Sequence, residues 1–143
     1  MRKHFVWSET FSVGVKEMDD QHKQFFKIAD DILNLIGSGD FKNEGLLEHA
    51  TKLGDYALYH LGSEEEYFKK FKCENMDQHL DAHNAFRRQV VNFISLLRDK
   101  KTGITQAIEI VEDMASFSTN WLADHILVMD KGYTTCFHEH ELY

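Results

Sequence analysis

Proline is absent from this chain of 143 residues, and glycine occurs only 8 times, mostly at a few interruptions. A chain without proline has no obligatory helix breaks, which suits long helices better than a loop-rich β fold. Long apolar runs are missing as well. Nothing approaches the roughly 20 apolar residues that span a bilayer, and the start, Met1-Arg2-Lys3-His4-Phe5-Val6-Trp7-Ser8-Glu9, returns to charge before the apolar core of a leader develops. These absences exclude membrane insertion and give a cytoplasmic location as the expectation. Clustered basic residues are also lacking: the net charge is -8, so nucleic acid is excluded as a partner, because phosphate binding needs grouped Lys and Arg. Cysteine is scarce. Cys73 and Cys136 are far apart and form no CxxC pair, so reduced thiols are the expectation.

What is present is helical period. The length fits one domain, residues 1–143, able to bury a core without disulfide staples. Residues 1–18 show no sustained helical stripe; Phe5, Trp7, Phe11, Val13 and Val15 alternate with polar residues, which predicts an extended N-terminal arm packed on something. From Asp19 to Ile36 a stripe of Phe25 or Phe26, Ala29, Ile32 or Leu33 and Ile36 predicts a helix ended by Gly37-Ser38-Gly39-Asp40. A second stripe runs from Asn43 to Phe71, and a third from Met76 to Leu97, with Asn75 and Gln78 spaced as a capping box. A fourth runs from Ile104 to Met129. Four amphipathic helices on short connections should pack as an all-α, antiparallel up-down-up-down four-helix bundle over residues 19–135, followed by a short C-terminal tail.

Several core positions on those stripes hold polar residues. His22 extends the first stripe; His60 and Glu64 stand four apart on the second, as do His79 and His83 on the third; His125 lies on the fourth with Asp130 five residues later. Four apart is one helix face about one turn along. In an up-down-up-down bundle all seven fall at the same end, which scattered core histidines have no reason to do. Buried carboxylates at Glu64 and Asp130 need neutralisation or a metal. Imidazole with carboxylate accommodates iron, zinc, copper or manganese. Seven ligands exceed what one tetrahedral zinc uses, whereas two metals sharing both carboxylates fit, one held by three histidines and the other by two, with one position open. Ferritin-like di-iron bundles differ in having carboxylates outnumber histidines. The step from His125 to Asp130 turns about 140° around a helix, so either the aspartate reaches inward or the helix relaxes; the spacing leaves both open.

The set His22, His60-x-x-x-Glu64, His79-x-x-x-His83 and His125-x-x-x-x-Asp130 resembles the hemerythrin family in its single-domain bacterial form. The likeness extends to Trp7, Ser12-Val13-Gly14-Val15, Asp19-x-Gln21-His22, Glu64-Glu65 and Trp121-Leu122-x-x-His125-Ile126. The resemblance implies a cofactor of two iron ions with an oxo or hydroxo bridge. His79, His83 and His125 would be on the saturated iron, His22 and His60 on the open one, and Glu64 and Asp130 would bridge. It further implies reversible O2 binding, with O2 as the partner and an oxygen-using or redox protein as a possible second one, and no catalysis. A di-iron enzyme, such as an oxidase, peroxidase or nitric-oxide-processing protein, and an oxygen or redox sensor are the alternatives on the same centre. Tyr67, Tyr133 and Cys73 are too ordinary to single out as proton donors. His138 and His140 read as part of a mobile solvated tail in preference to a weak surface metal site, and His4 and His49 as surface or arm residues. Cys73 and Cys136 both fall at the site end, where an oxidative link is the minority alternative.

Overall fold

The computed structural model describes residues 6–39 and 43–143. Its elements are α1 (Lys16–Ser38), α2 (Asn43–Lys70), α3 (Asp77–Arg98), α4 (Ile104–Val128) and α5 (Thr134–Glu139), with 3-10 turns at Glu9–Phe11 and Asp130–Tyr133. His4 lies outside the described residues.

Contacts between successive helices run in opposite directions. Glu17 meets Tyr67 and Gln21 meets His60 across α1 and α2; the rings of His83 and Phe86 meet Trp121, and Phe93 meets Phe117, across α3 and α4. The all-α four-helix bundle expected from the sequence is therefore the fold. Its centre is closely packed. A Cβ on Gly54 would come within 3.1 Å of Val90 Cγ1 and 3.5 Å of Met114 Cε, so α2 approaches α3 and α4 at a point where only hydrogen fits without displacement.

The arm departs from the expectation in detail. Its described part contains a 3-10 turn, and α1 begins at Lys16, inside the range expected to be extended. Asp19 is the reason: its carboxylate accepts from Ser12 Oγ at 2.7 Å and from the Val13 amide at 2.8 Å, folding the arm back on the helix while Val13 and Val15 bury their side chains. At the other end of α1, Gly39 takes a left-handed φ of 76° and closes the helix.

Three further expectations are overturned. The capping box at Asn75 and Gln78 does not form: Met76 occupies the cap position without a side-chain bond, because Asn75 is used for a left-handed turn with φ 62°. The mobile tail is instead α5, whose Phe137 is fully buried against Tyr133 (ring centroids 4.3 Å), Tyr67 and Phe68. His138 donates to the Gly14 carbonyl at 2.7 Å and His140 stacks on Phe71. Six residues cannot sustain a helix alone; burial of Phe137, worth about 1.5–3 kcal/mol, holds this one. Finally, Cys73 and Cys136 are not free thiols. They form a disulfide with Cα atoms 5.9 Å apart, because the α2–α3 connection and α5 meet at the same end of the bundle.

Candidate metal centre

Each of the four long helices delivers polar side chains to one depth of the bundle. His22 comes from the second turn of α1, His60 and Glu64 from the later half of α2, His79 and His83 from the first two turns of α3, and His125 from the last turn of α4. Asp130 is not on α4. That helix stops at Val128, and Asp130 opens the 3-10 turn that follows, so the 140° misfit of a five-residue step is removed by ending the helix. All seven residues expected from the sequence meet here, each at most 5 % exposed. His49, expected at the surface, is half-buried and stands apart from them.

The two carboxylates divide the histidines into a group of three and a group of two. Glu64 turns Oε1 toward His83 Nε2 at 3.3 Å and His79 Nε2 at 3.9 Å, and Oε2 toward His22 and His60, each at 3.6 Å. Asp130 turns Oδ1 toward His79 at 2.8 Å and His125 at 2.9 Å, and Oδ2 toward His22 at 3.0 Å. On the side of three, the Nε2 atoms of His83 and His125 are 3.1 Å apart, and those of His125 and His79 are 2.9 Å apart. Two clusters able to hold a cation follow, Glu64–His79–His83–His125–Asp130 and His22–His60–Glu64–Asp130, sharing both carboxylates.

The donor atoms also lack other partners. Of nine buried side-chain nitrogen and oxygen atoms without a hydrogen bond among the described residues, seven belong to His22, His60, Glu64 and Asp130. Buried carboxylate oxygens without donors are costly. Cations between the imidazoles would satisfy them, so the residues fit a metal.

The charge states follow from these distances. Burial alone would discharge His22, but the Asp130 and Glu64 carboxylates outweigh it and raise its pKa to about 9. For His60 burial prevails and lowers the group to about 4. Burial and mutual repulsion oppose ionisation of Glu64, yet His60, His22 and His83 hold it below the usual carboxylate range; His125, His22 and His79 do the same for Asp130 against its burial. The raised His22 group contributes stability that is complete below pH 6.5 and lost as pH rises through 9. Urea unfolding of the metal-stripped chain should therefore lose on the order of 3 kcal/mol between pH 6.5 and 9, and His22→Gln should flatten that limb. The depressed carboxylates act in the opposite sense, their contribution disappearing as pH falls through their lowered values. An unfolding free energy independent of pH from 6.5 to 9 would contradict the charge assignment.

Outer contacts fix the imidazoles unequally. His60 Nδ1 donates to the Gln21 amide oxygen at 2.7 Å, whereas His83 Nδ1 donates to the Glu65 carboxylate at 2.7 Å, itself held by Arg87 at 2.8–2.9 Å. A carboxylate acceptor makes an imidazole the stronger donor to a metal, so the two groups are electronically distinct. Trp121 stacks on His125 with centroids 4.3 Å apart. Tyr133, fully buried, stacks on His79 at 6.0 Å, and burial together with Glu64 and Asp130 pushes its hydroxyl far above the ordinary range. Sequence reasoning assigned none of these residues a role. The available signals were that Gln21, Glu65 and Trp121 fall in the stretches that carry the family resemblance, and that Tyr133 stands three residues past Asp130.

Comparison with known proteins gives the same direction. The sequence profile described as Hemerythrin HHE cation binding domain matches residues 13–136. Bacteriohemerythrin of Clostridium acetobutylicum is 26% identical over 135 residues, covering 90% of this chain and 98% of that protein. Myohemerythrin-1 of Phascolopsis gouldii is 28% identical over 129 residues, 90% of this chain and 91% of its own. Bacteriohemerythrin of Methylococcus capsulatus is 29% identical over 126 residues, 88% and 90% of the two chains. The match takes in six of the seven clustered residues' helices and the turn of the seventh, and the chain belongs to the hemerythrin family.

Proposed function

We propose that this chain binds O2 reversibly at a non-haem di-iron centre and serves in oxygen carriage, storage or supply. His79, His83 and His125 would hold one iron and His22 and His60 the other, with Glu64 and Asp130 shared between the two groups. The observation that carries the reading is the pair of carboxylates, each presenting one oxygen to either histidine group. Reduced iron held there would supply the electrons for reversible O2 binding. The chain's own part is to offer five imidazoles and two carboxylates, with His22 giving up its proton when a cation takes that place, to leave one fewer ligand on the His22 and His60 side, and to exclude water. Phe25, Phe86 and Leu61, each at most 1 % exposed, supply that dry surround. The proposal places the chain in the cytoplasm, with O2 as ligand and an oxygen-using or redox protein as recipient; no helix among the described residues is long and apolar enough to cross a membrane.

Anaerobic reduction followed by air, with metal analysis and visible absorption, tests this. The expected result is about two irons per chain and a charge-transfer band that appears with O2 and disappears on degassing. One iron, zinc alone, or a band that decays irreversibly with peroxide release would defeat the carrier reading, the last outcome favouring an oxidase.

A further inference from the structure

The Cys73–Cys136 disulfide ties the α2–α3 connection, which leads into the helix of His79, to α5, which follows the 3-10 turn of Asp130. Cys73 lies between Glu64 and His79, in the α2–α3 connection, and Cys136 lies six residues past Asp130, in α5. We propose that this disulfide is a thiol-exchange site at which a dithiol reductant loosens the metal centre by releasing the segment that positions Asp130. The metal arm of the idea rests on the di-iron reading above.

Three features of the structure support it. Both cysteines are half-buried at the surface, within reach of an incoming thiolate. The connection they hold is under backbone strain, since Lys72 (φ 51°) and Asn75 (φ 62°) flank Cys73 in the left-handed region that L side chains adopt at a cost. And the α2–α3 connection, just past Cys73 in sequence, lines a cleft of about 290 Å³ with Glu74, Asn75 and Met76, opposite Val128, Met129 and Gly132 from the segment around Asp130, with His79 also in its wall. Asp130 itself is fully buried, between Met129 and Gly132 in the chain.

Without the bridge, side-chain attachments of the α5 segment are non-covalent: the buried Phe137 ring, Thr134 Oγ1 donating to the Val13 carbonyl, His138 donating to the Gly14 carbonyl, and the His140 ring stacked on Phe71. A six-residue helix held by such contacts alone opens far more often than one tied covalently to the α2–α3 connection. Each opening withdraws Asp130, one of the two carboxylates common to both histidine groups, and exposes His79.

The exchange balances without the metal. A reductant thiolate attacks one sulfur of the bridge, the other leaves as a thiolate and takes a proton from solvent, and a mixed disulfide forms. The reductant's second thiolate then attacks its own bound sulfur and frees the second cysteine. Two electrons and two protons pass from the dithiol to Cys73 and Cys136, and the dithiol leaves as its cyclic disulfide.

The test uses the iron-loaded chain with dithiothreitol, reading iron transfer to a coloured ferrous chelator. Reduction should speed release about tenfold or more, the low end of what loss of a ligand's supporting contact costs. Cys73→Ser with Cys136→Ser should release at the fast rate without reductant and gain nothing from it, which separates bridge cleavage from chelation by the dithiol. Amide exchange of residues 129–143 in the metal-free chain should rise on reduction in the natural chain and not in the double variant. Equal iron release from oxidised and reduced chains, or unchanged amide exchange, would overturn the proposal. If the oxidised chain retains no iron, the di-iron reading has failed, and the exchange measurement still decides whether the bridge restrains the Asp130 segment.

Discussion

Glu64→Ala should empty both halves of the centre together, where removal of a histidine empties one. Glu64, like Asp130, turns its two oxygens to different histidine groups, Oε1 toward His83 at 3.3 Å and Oε2 toward His22 and His60 at 3.6 Å. Truncating it removes an anionic donor from each side at once and leaves Asp130 as the remaining shared carboxylate. Losing a partner one shell further out commonly costs 10–100-fold in metal affinity. Loss of a direct bridging donor should exceed about 100-fold for both irons, so the variant should leave a desalting column with almost none. His60→Ala, by contrast, removes a donor from the group of two and should leave the His79, His83 and His125 side loaded. The measurement is iron per chain after desalting, with far-ultraviolet circular dichroism to show that the helices persist. A Glu64→Ala chain that keeps one iron tightly would sink the bridging assignment, whatever its effect on the spectrum.

The bundle was legible because its signal is repeated over whole helices. Stripes such as Phe25, Ala29, Ile32 and Leu46, Ala50, Leu53, Ala57 place every member in the buried core, and a period of 3.6 needs no tertiary information to be seen. The seven polar residues were legible for the same reason: they interrupt stripes that otherwise read apolar. What escaped depended on contacts between distant segments. Tail residues 133–139 carry a single apolar spacing, Tyr133 to Phe137, too short to distinguish a packed turn from a solvated one, and only the pocket formed by Tyr67 and Phe68 makes it a helix. The disulfide is a meeting of residues 63 positions apart, and composition gave reduced thiols because two isolated cysteines carry no pairing signal. The Asn75 cap failed because a local motif competed with the turn that the chain needs before α3, and the turn took the asparagine into the left-handed region. Glu65 and Arg87 were hidden differently: both look like surface charge until α3 brings Arg87 against Glu65 and Glu65 against His83.

Phe25→Ala should produce the largest loss of stability and, in the same variant, a shorter-lived O2 complex. The ring is fully buried between His60 and Phe86, with centroids 6.2 Å from each. Truncation removes its apolar burial and leaves a cavity the backbone helices cannot close, at about 3–5 kcal/mol. The position of that cavity matters more than its size. It lies against His60, on the side with one fewer ligand, and a void bordered by polar imidazole can admit water where a purely apolar one stays dry. Water there weakens the exclusion on which reversible binding depends, and a loss of about 1.4 kcal/mol in that barrier makes decay of the O2-dependent band about tenfold faster in air. Phe25→Leu separates the two effects: it retains most of the apolar volume, should cost under about 2 kcal/mol by urea unfolding, and should leave the band lifetime within about twofold of the natural chain. If Phe25→Ala loses stability as expected while its band persists as long as that of Phe25→Leu, the ring is core packing alone, and water is kept from the His22 and His60 side by other residues.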